Sequence, residues 1–297
     1  MTRVGPEVSS GPEFAPLEVG VPTSLTARLR RVLCPNPSVM TGPGTNSYVV
    51  GASDLAVIDP GPDLEAHQAV LAGLGSVRWI LCTHTHPDHS PGAARLAAAT
   101  GAEVLAFDDR DGLVCTRHLA DGDTIAGPDF TLRAIHTPGH ASNHLCFLVE
   151  EDGVLIAGDH VMGGSTVVIT PPDGDMGDYL ASVERLRTWD PPLEAVAPAH
   201  GHLITDPAAY LAYYVDHRAE RERQVVDALA AAGPDGADTA ALVAAIYVDV
   251  PESLHPVARF SVWAHLRKLE AEGRATCPDR DDMGAVWTAG AAGPIRD

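Results

Sequence analysis

Short apolar runs punctuated by turn residues dominate the first two thirds of the chain. Tyr48-Val-Val50 and Leu55-Ala-Val-Ile58 flank Gly51-Ala-Ser-Asp54, the pattern of a β-hairpin. Further strands are expected at Trp79–Cys82, Glu103–Phe107, Phe130–Ile135, His144–Val149 and Val154–Ala157, with a last apolar run at Ala195–Ala197. Between them, alanine-rich Ala93–Thr100 reads as a helix stopped by Gly101, and Tyr179–Thr188 as another. Strands with intermittent helices up to about Pro207 predict a layered α/β or α+β domain.

Beyond that point the apolar period changes from two to three or four residues. Ala208–Ala231 predicts a long helix studded with Arg and Glu, Thr239–Tyr247 a short one, and Leu254–Glu272 a third beginning near His255-Pro256. Three such helices suggest a helix-turn-helix-like or winged-helix domain. From Arg218 to Arg274 there are nine acidic residues against seven basic ones, so the segment lacks the dense basic face of a nucleic-acid reader. The expectation is a helical wall beside the catalytic domain, and the expected division is 1–207 for catalysis and 208–297 for the helical domain.

Composition narrows the partners. The chain has 297 residues, 20 Lys plus Arg against 40 Asp plus Glu, and a formal charge of -20, with Lys268 as its single lysine. Such a surface repels polyanions and anionic membrane on average. No run approaches the roughly 20 apolar residues that cross a bilayer, and Met1–Gly20 lacks the apolar core of an export signal. The expected location is the cytoplasm. The 5 cysteines include no C-x-x-C pair, which argues against a disulfide framework or a thiolate zinc cluster of that kind.

The chemistry begins where the Trp79–Cys82 strand ends. Thr83-His-Thr-His-Pro-Asp-His-Ser90 places His84, His86, Asp88 and His89 in one short loop, and neutral imidazoles with a carboxylate suit borderline divalent ions. One loop cannot close two metal shells. Three later residues stand in the same arrangement, a tight turn after an apolar run: His140 in Thr137-Pro-Gly-His140, Asp159 in Ala157-Gly-Asp159, and His200 in Pro198-Ala-His-Gly201. His202 is a rival to His200. Asp59, in an Asp-Pro-Gly turn, is a candidate to hold a ligand histidine in its metal-binding tautomer, and His144 is placed either in the pocket or behind it. Ser165, Thr166 and Asp175, in the glycine- and proline-rich stretch 162–178, are candidate pocket contacts, with a simple connection as the alternative.

These stretches, together with Thr45-Asn-Ser-Tyr48 and Ile58-Asp-Pro-Gly61, closely resemble the metallo-β-lactamase superfamily, and within it the β-lactamase-like protein 2 group. The helical tail resembles the winged-helix-like domain of that group. The resemblance implies an αββα sandwich with metal ions at one edge of its sheets. It assigns His84, His86 and His140 to one ion, Asp88, His89 and His200 to the other, and the bridging role to Asp159. The last motif usually reads Pro-Gly-His-Gly; Ala199 stands here, a change tolerated unless that position needs a positive φ.

The reading is therefore a dinuclear hydrolase carrying two zinc ions, with manganese or iron as alternatives. Water shared by two ions ionises near neutral pH and the bridging hydroxide attacks, with Asp88 and Asp159 as the catalytic carboxylates. No serine or cysteine nucleophile is required, and Cys82 reads as a packed residue. A small ester, thioester or related carbonyl compound is the favoured substrate, since the chain is acidic and lacks a basic strip. The alternative is a single-strand-specific endoribonuclease, an activity known in the group it resembles. RNA is thus the less favoured partner, membrane is excluded, and a homodimer is left open.

Overall fold

The computed structural model describes residues 17–290. Most of the Met1–Gly20 stretch read above, and the outer ends of both expected domains, lie outside the described residues. The elements run β1 (Thr23–Ser24), β2 (Leu29–Leu33), β3 (Asn46–Val50), β4 (Asp54–Ile58), α1 (Glu65–Ala72), β5 (Ser76–Leu81), α2 (Gly92–Thr100), β6 (Glu103–Ala106) and β7 (Arg117–His118). These seven strands form one sheet in sequence order. The next strands, β8 (Thr124–Ala126), β9 (Thr131–His136), β10 (Leu145–Val149), β11 (Val154–Gly158) and β12 (Ala195–Pro198), form a second sheet, with α3 (Met176–Arg187) inserted before the last.

Period-two alternation sorts the side chains into layers. On β3 and β4, Tyr48, Val50, Ala56 and Ile58 join a core with Phe147, Val149 and Ile156 of the second sheet. The intervening Val49, Leu55 and Val57 face the other way and pack with Leu71 of α1 and Leu96 of α2. Two sheets face to face, one covered outside by helices, give the mixed α/β sandwich expected. The hairpin read from Gly51-Ala-Ser-Asp54 is present, with β3 and β4 antiparallel.

Strand direction sets up the site. β4, β5 and β6 are parallel, as are β11 and β12. In open α/β sheets, ligands gather beyond the carboxyl ends of parallel strands. Asp59 follows β4, His84 follows β5, Asp159 follows β11 and His200 follows β12. β9 is antiparallel to β10, as is β11, so β9 also delivers its following turn, with His140, at the same end.

The chain divides into two compact units, the larger holding residues up to Thr137 with Asn143–Val167 and Arg185–Leu211, the smaller holding Pro138–Ser142, Val168–Glu184 and the chain from Ala212. The smaller unit contains most of α4 (Pro207–Ala232), then α5 (Thr239–Ile246), α6 (His255–Ala271) and a two-stranded ribbon of β13 (Ala275–Thr276) and β14 (Thr288–Ala289). Asp238 caps α5 by accepting the Ala241 N–H at 2.8 Å. Val225, Leu229, Leu242, Val262, Trp263, Leu266, Leu269 and Trp287 form its core. Three helices with a small β-ribbon constitute a winged helix. No helix of the described residues is long and apolar enough to cross a membrane.

Candidate metal centre

Two groups of donor atoms are brought together by these turns: His84, His86, His140 and Asp159 in one, Asp88, His89 and His200 in the other. Within each group the donor atoms lie within 4.8 Å of one another. All seven residues singled out from the sequence are present, divided as the resemblance divides them, with Asp159 in the first group. His202 belongs to neither.

Hydrogen bonds behind the ring nitrogens decide which nitrogen each histidine offers. His89 Nδ1 donates to Asp59 Oδ2 at 2.9 Å. His140 Nδ1 donates to the Val168 carbonyl at 2.8 Å, and His200 Nδ1 to the Gly44 carbonyl at 3.2 Å. The Thr83 hydroxyl spends its proton on Asp59 Oδ2 at 2.8 Å, so it accepts from His84 Nδ1 at 3.0 Å. In its neutral form each of these four rings therefore carries its lone pair on Nε2, the arrangement typical of metal-ligating histidines. His86 instead presents Nδ1, 2.9 Å from His84 Nε2.

The electrostatics ask for positive charge. His89 Nε2 is buried without a hydrogen-bond partner, yet lies 3.4 Å from Asp88 Oδ2 and 3.5 Å from Asp159 Oδ1. His200 Nε2 sits 3.3 Å from Asp88 Oδ2 and 3.2 Å from Asp159 Oδ1. Burial alone would lower the basicity of His200, but Asp159 and Asp88 outweigh it and raise its pKa to about 9. Burial pushes Asp159 up, and His89 and His200 more than reverse this, holding it well below the usual carboxylate range. Borderline donors converging with two carboxylates fit a divalent ion such as zinc.

The supporting residues explain the other motifs. Asp59 accepts the Thr83 N–H at 2.7 Å through its second oxygen, and it adopts φ 51°, a conformation that aspartate tolerates better than most residues. Asn46 Nδ2 donates to the carbonyls of Pro198 and Gly201, both at 2.9 Å, while Tyr48 Oη donates to Pro198 at 2.7 Å. The Thr-Asn-Ser-Tyr segment is thus the clamp on the loop that carries His200. Ala199 in that loop is not among the positive-φ residues, which is why alanine fits there.

His144 is not a pocket residue. It is fully buried, accepts the Asp159 N–H on Nε2 at 3.2 Å, and is bonded through Nδ1 to the Thr137 hydroxyl at 2.9 Å. Its place at the start of β10, seven residues from Thr137 across a tight turn, was the only signal for this. Asp175 likewise serves the chain, accepting the N–H groups of Gly177 and Asp178 at the start of α3. Ser165 is exposed, with its hydroxyl 3.6 Å from the Met162 sulfur, and Thr166 is half-buried. Cys82 is packed in the core under the sheet. Sequence reading missed Asn36, whose amide donates to Thr45 Oγ1 at 2.9 Å; Thr45, the first residue of the Thr-Asn-Ser-Tyr motif, in turn reaches Asp88 Oδ2 through Oγ1 at 3.4 Å.

Residues 40–200 match the family model of the metallo-beta-lactamase superfamily, and residues 239–282 that of the beta-lactamase associated winged helix domain. The chain is 31% identical to a beta-lactamase-like protein 2 homolog of Drosophila melanogaster, over 85% of this chain and 91% of that one. It is 35% identical to an atrochrysone carboxyl ACP thioesterase of Aspergillus chevalieri, over 69% of this chain and 67% of that one. Among solved structures, a beta-lactamase domain protein from Burkholderia ambifaria superposes with a TM-score of 0.77 at 22% identity, covering 91% of this chain and 94% of that one. A metallo-beta-lactamase family protein from Thermus thermophilus gives 0.73 at 21% identity, covering 90% of this chain and 100% of that one. The chain belongs to the metallo-beta-lactamase superfamily, as a hydrolase whose carboxy-terminal region is the winged helix domain associated with that fold.

Proposed function

We propose that the protein is a dinuclear zinc hydrolase acting on a small thioester, ester or related carbonyl compound. The observation that carries this reading is the donor set itself: four histidines with Nδ1 tied back and Nε2 turned inward, beside two carboxylates. In it, His84, His86 and His140 would hold one ion and Asp88, His89 and His200 the other, with Asp159, among the first donors and within reach of His89 and His200, as the carboxylate available to both. Ions bound there supply Lewis acidity and make water nucleophilic near neutral pH. Asp88, partly open to solvent, accepts a hydrogen bond from the attacking water and orients it. Asp59 and Thr83 keep His84 and His89 from rotating, which holds the attack geometry fixed.

The substrate class rests on two supports. One relative of 35% identity is named a thioesterase. The other is charge: in the winged helix, Lys268 Nζ pairs with Glu222 at 2.8 Å, Arg274 Nη1 with Glu222 at 2.8 Å, and Arg267 with Asp281 at 2.5 Å. Basic groups already neutralised this way make a poor track for a phosphate backbone.

A turnover screen of the zinc-loaded protein tests the reading, using acyl thioesters, lactones, bis(p-nitrophenyl) phosphate and labelled single-stranded RNA, beside metal analysis of the same sample. Thioester or lactone turnover that depends on two zinc ions at the histidine and aspartate cluster is expected. RNA cleavage without carbonyl turnover, or a single bound ion at full activity, would overturn it.

A further inference from the structure

The connection between β6 and β7 is unusual for parallel neighbours, which are ordinarily joined through a helix. Residues 107–116 make this crossing without one. Three donors of different chemistry meet on it: Asp109, Cys115 and His118 offer a carboxylate oxygen, a sulfur and an imidazole nitrogen, all within 4.8 Å of one another. None of the three belongs to the histidine and aspartate cluster described above.

We propose that Asp109, Cys115 and His118 form a further divalent-metal site of zinc type, which staples the loop between β6 and β7. The loop is already folded toward that arrangement. Asp109 Oδ1 accepts the Cys115 N–H at 2.8 Å and lies 3.1 Å from His118 Nε2, so carboxylate and imidazole already meet beside Cys115. Cys115 Sγ is half-buried beside them, 3.5 Å from the Asp108 carbonyl. With metal–ligand bonds of about 2.0–2.3 Å, tetrahedral donors stand roughly 3–4 Å apart, so the three close around an ion by side-chain rotation alone. Thiolate and carboxylate together neutralise a divalent ion, and solvent supplies the remaining position because Asp109 and His118 are exposed. The softness of sulfur selects zinc over magnesium or calcium.

The staple has a consequence for the neighbouring motif. Asp111 Oδ2, on the same loop, accepts the Thr85 hydroxyl at 2.7 Å, and Asp108 Oδ1 accepts the Asn143 amide at 2.9 Å. Asn143 also donates to Thr85 Oγ1 at 3.1 Å. Thr85 lies between His84 and His86, so ordering the loop orders the backbone of the His-x-His segment.

Cobalt(II) titration of the untagged, metal-stripped full-length protein separates this site from the histidine cluster, because only a cysteine ligand gives a thiolate-to-cobalt charge-transfer band in the near ultraviolet. The expected result is such a band, with the final intensity of one thiolate-bound cobalt per chain and bleached by zinc. Cys115→Ser should abolish it and lower metal stoichiometry by one, while the visible cobalt bands of the histidine cluster remain. His118→Ala should leave the band present but weaken its cobalt affinity at least tenfold. A wild-type protein whose visible bands saturate with no charge-transfer band, or a band that survives in Cys115→Ser, overturns the proposal.

Discussion

His89 and Asp59 form a buried acid–imidazole pair beside the metal cluster, with Nδ1 and Oδ2 2.9 Å apart and both side chains almost wholly enclosed. The carboxylate can only accept, so Nδ1 keeps its proton and Nε2 is the nitrogen that faces Asp88 and Asp159 and is left to a metal ion. Asp59→Asn tests this with little change of shape, since asparagine tolerates the same left-handed backbone. Metal affinity is expected to fall about 10- to 100-fold, the usual cost of losing such a partner. A competition titration with a chromophoric zinc chelator measures it; unchanged affinity would mean that His89 needs no such partner.

Asp159 differs from the other carboxylates in that it lies among the donors of one group and also within reach of His89 and His200 in the other. Replacing it with Ala should lower turnover by orders of magnitude while circular dichroism remains native. Retention of near-wild-type turnover with two ions still bound at this cluster would falsify the bridging role.

Gly158 shows how tightly the turn before Asp159 is built. It adopts φ 51°, and a Cβ there would meet His144 Nε2 at 2.6 Å and Thr83 Oγ1 at 2.7 Å. Gly158→Ala is expected to cost about 1–3 kcal/mol from overpacking and about 1 kcal/mol from backbone strain. Gly101→Ala, at φ 74° with nothing within 4 Å, should show the strain alone. Thermal midpoints compare the two, and equal losses would show that the close contacts at Gly158 relax without cost.

The legible part of this molecule is what periodicity and residue type encode locally. Trp79–Cys82 and Ala195–Ala197 are apolar because they lie inside a sandwich, and their ligands follow directly because a strand end is where a turn must come. β7 and β8, of two and three residues, were not read because only pairing across the sheet defines them. The helix Glu65–Ala72 was missed as well: it is short and its start carries no side-chain cap. At the site, the donors were readable, and so was Asp59 as the partner that fixes one tautomer, but the partners of His140 and His200 were not. Those are the Val168 and Gly44 carbonyls, 28 and 156 positions from the histidines they hold.

Glu222 is the same kind of long-range feature and gives a pH prediction. Burial raises its pKa, but Lys268 and Arg274, each 2.8 Å away, and the nearby His265 prevail and lower it from 4.5 to about 2. A depressed folded-state pKa contributes stability that is complete above about 4.5 and is lost as pH falls through about 2. Glu222→Gln should therefore be less stable at pH 7 by about 1–2 kcal/mol, reduced from a fully buried pair by solvent screening. Urea denaturation at pH 7 and pH 3.5 checks it. The gap should be smaller at the lower pH; one that stays constant or widens is incompatible with the assignment.

The winged helix decides the remaining choice of partner. Winged helices can present a recognition helix to nucleic acid, and such readers carry lysine and arginine free to meet phosphate. Here the candidates on α6 are engaged: Arg259 Nε donates to Thr239 Oγ1 at 3.0 Å, Arg267 to the Arg280 carbonyl at 2.8 Å, and Lys268 to Glu222 at 2.8 Å. Moving Lys268 onto a phosphate would cost Glu222 one of its two cationic partners, moving Arg267 would break its pair with Asp281, and the net charge of -20 opposes the approach of any polyanion. The intact protein is expected to bind single-stranded RNA in the range of about 10⁻⁴ to 10⁻⁶ M typical of non-specific contact, weakening as salt rises. Filter binding at physiological salt measures this. Submicromolar affinity that disappears in the Arg259→Ala, Arg267→Ala, Lys268→Ala triple variant would show that these pairs open for RNA, and would transfer the functional reading from a carbonyl substrate to a phosphodiester.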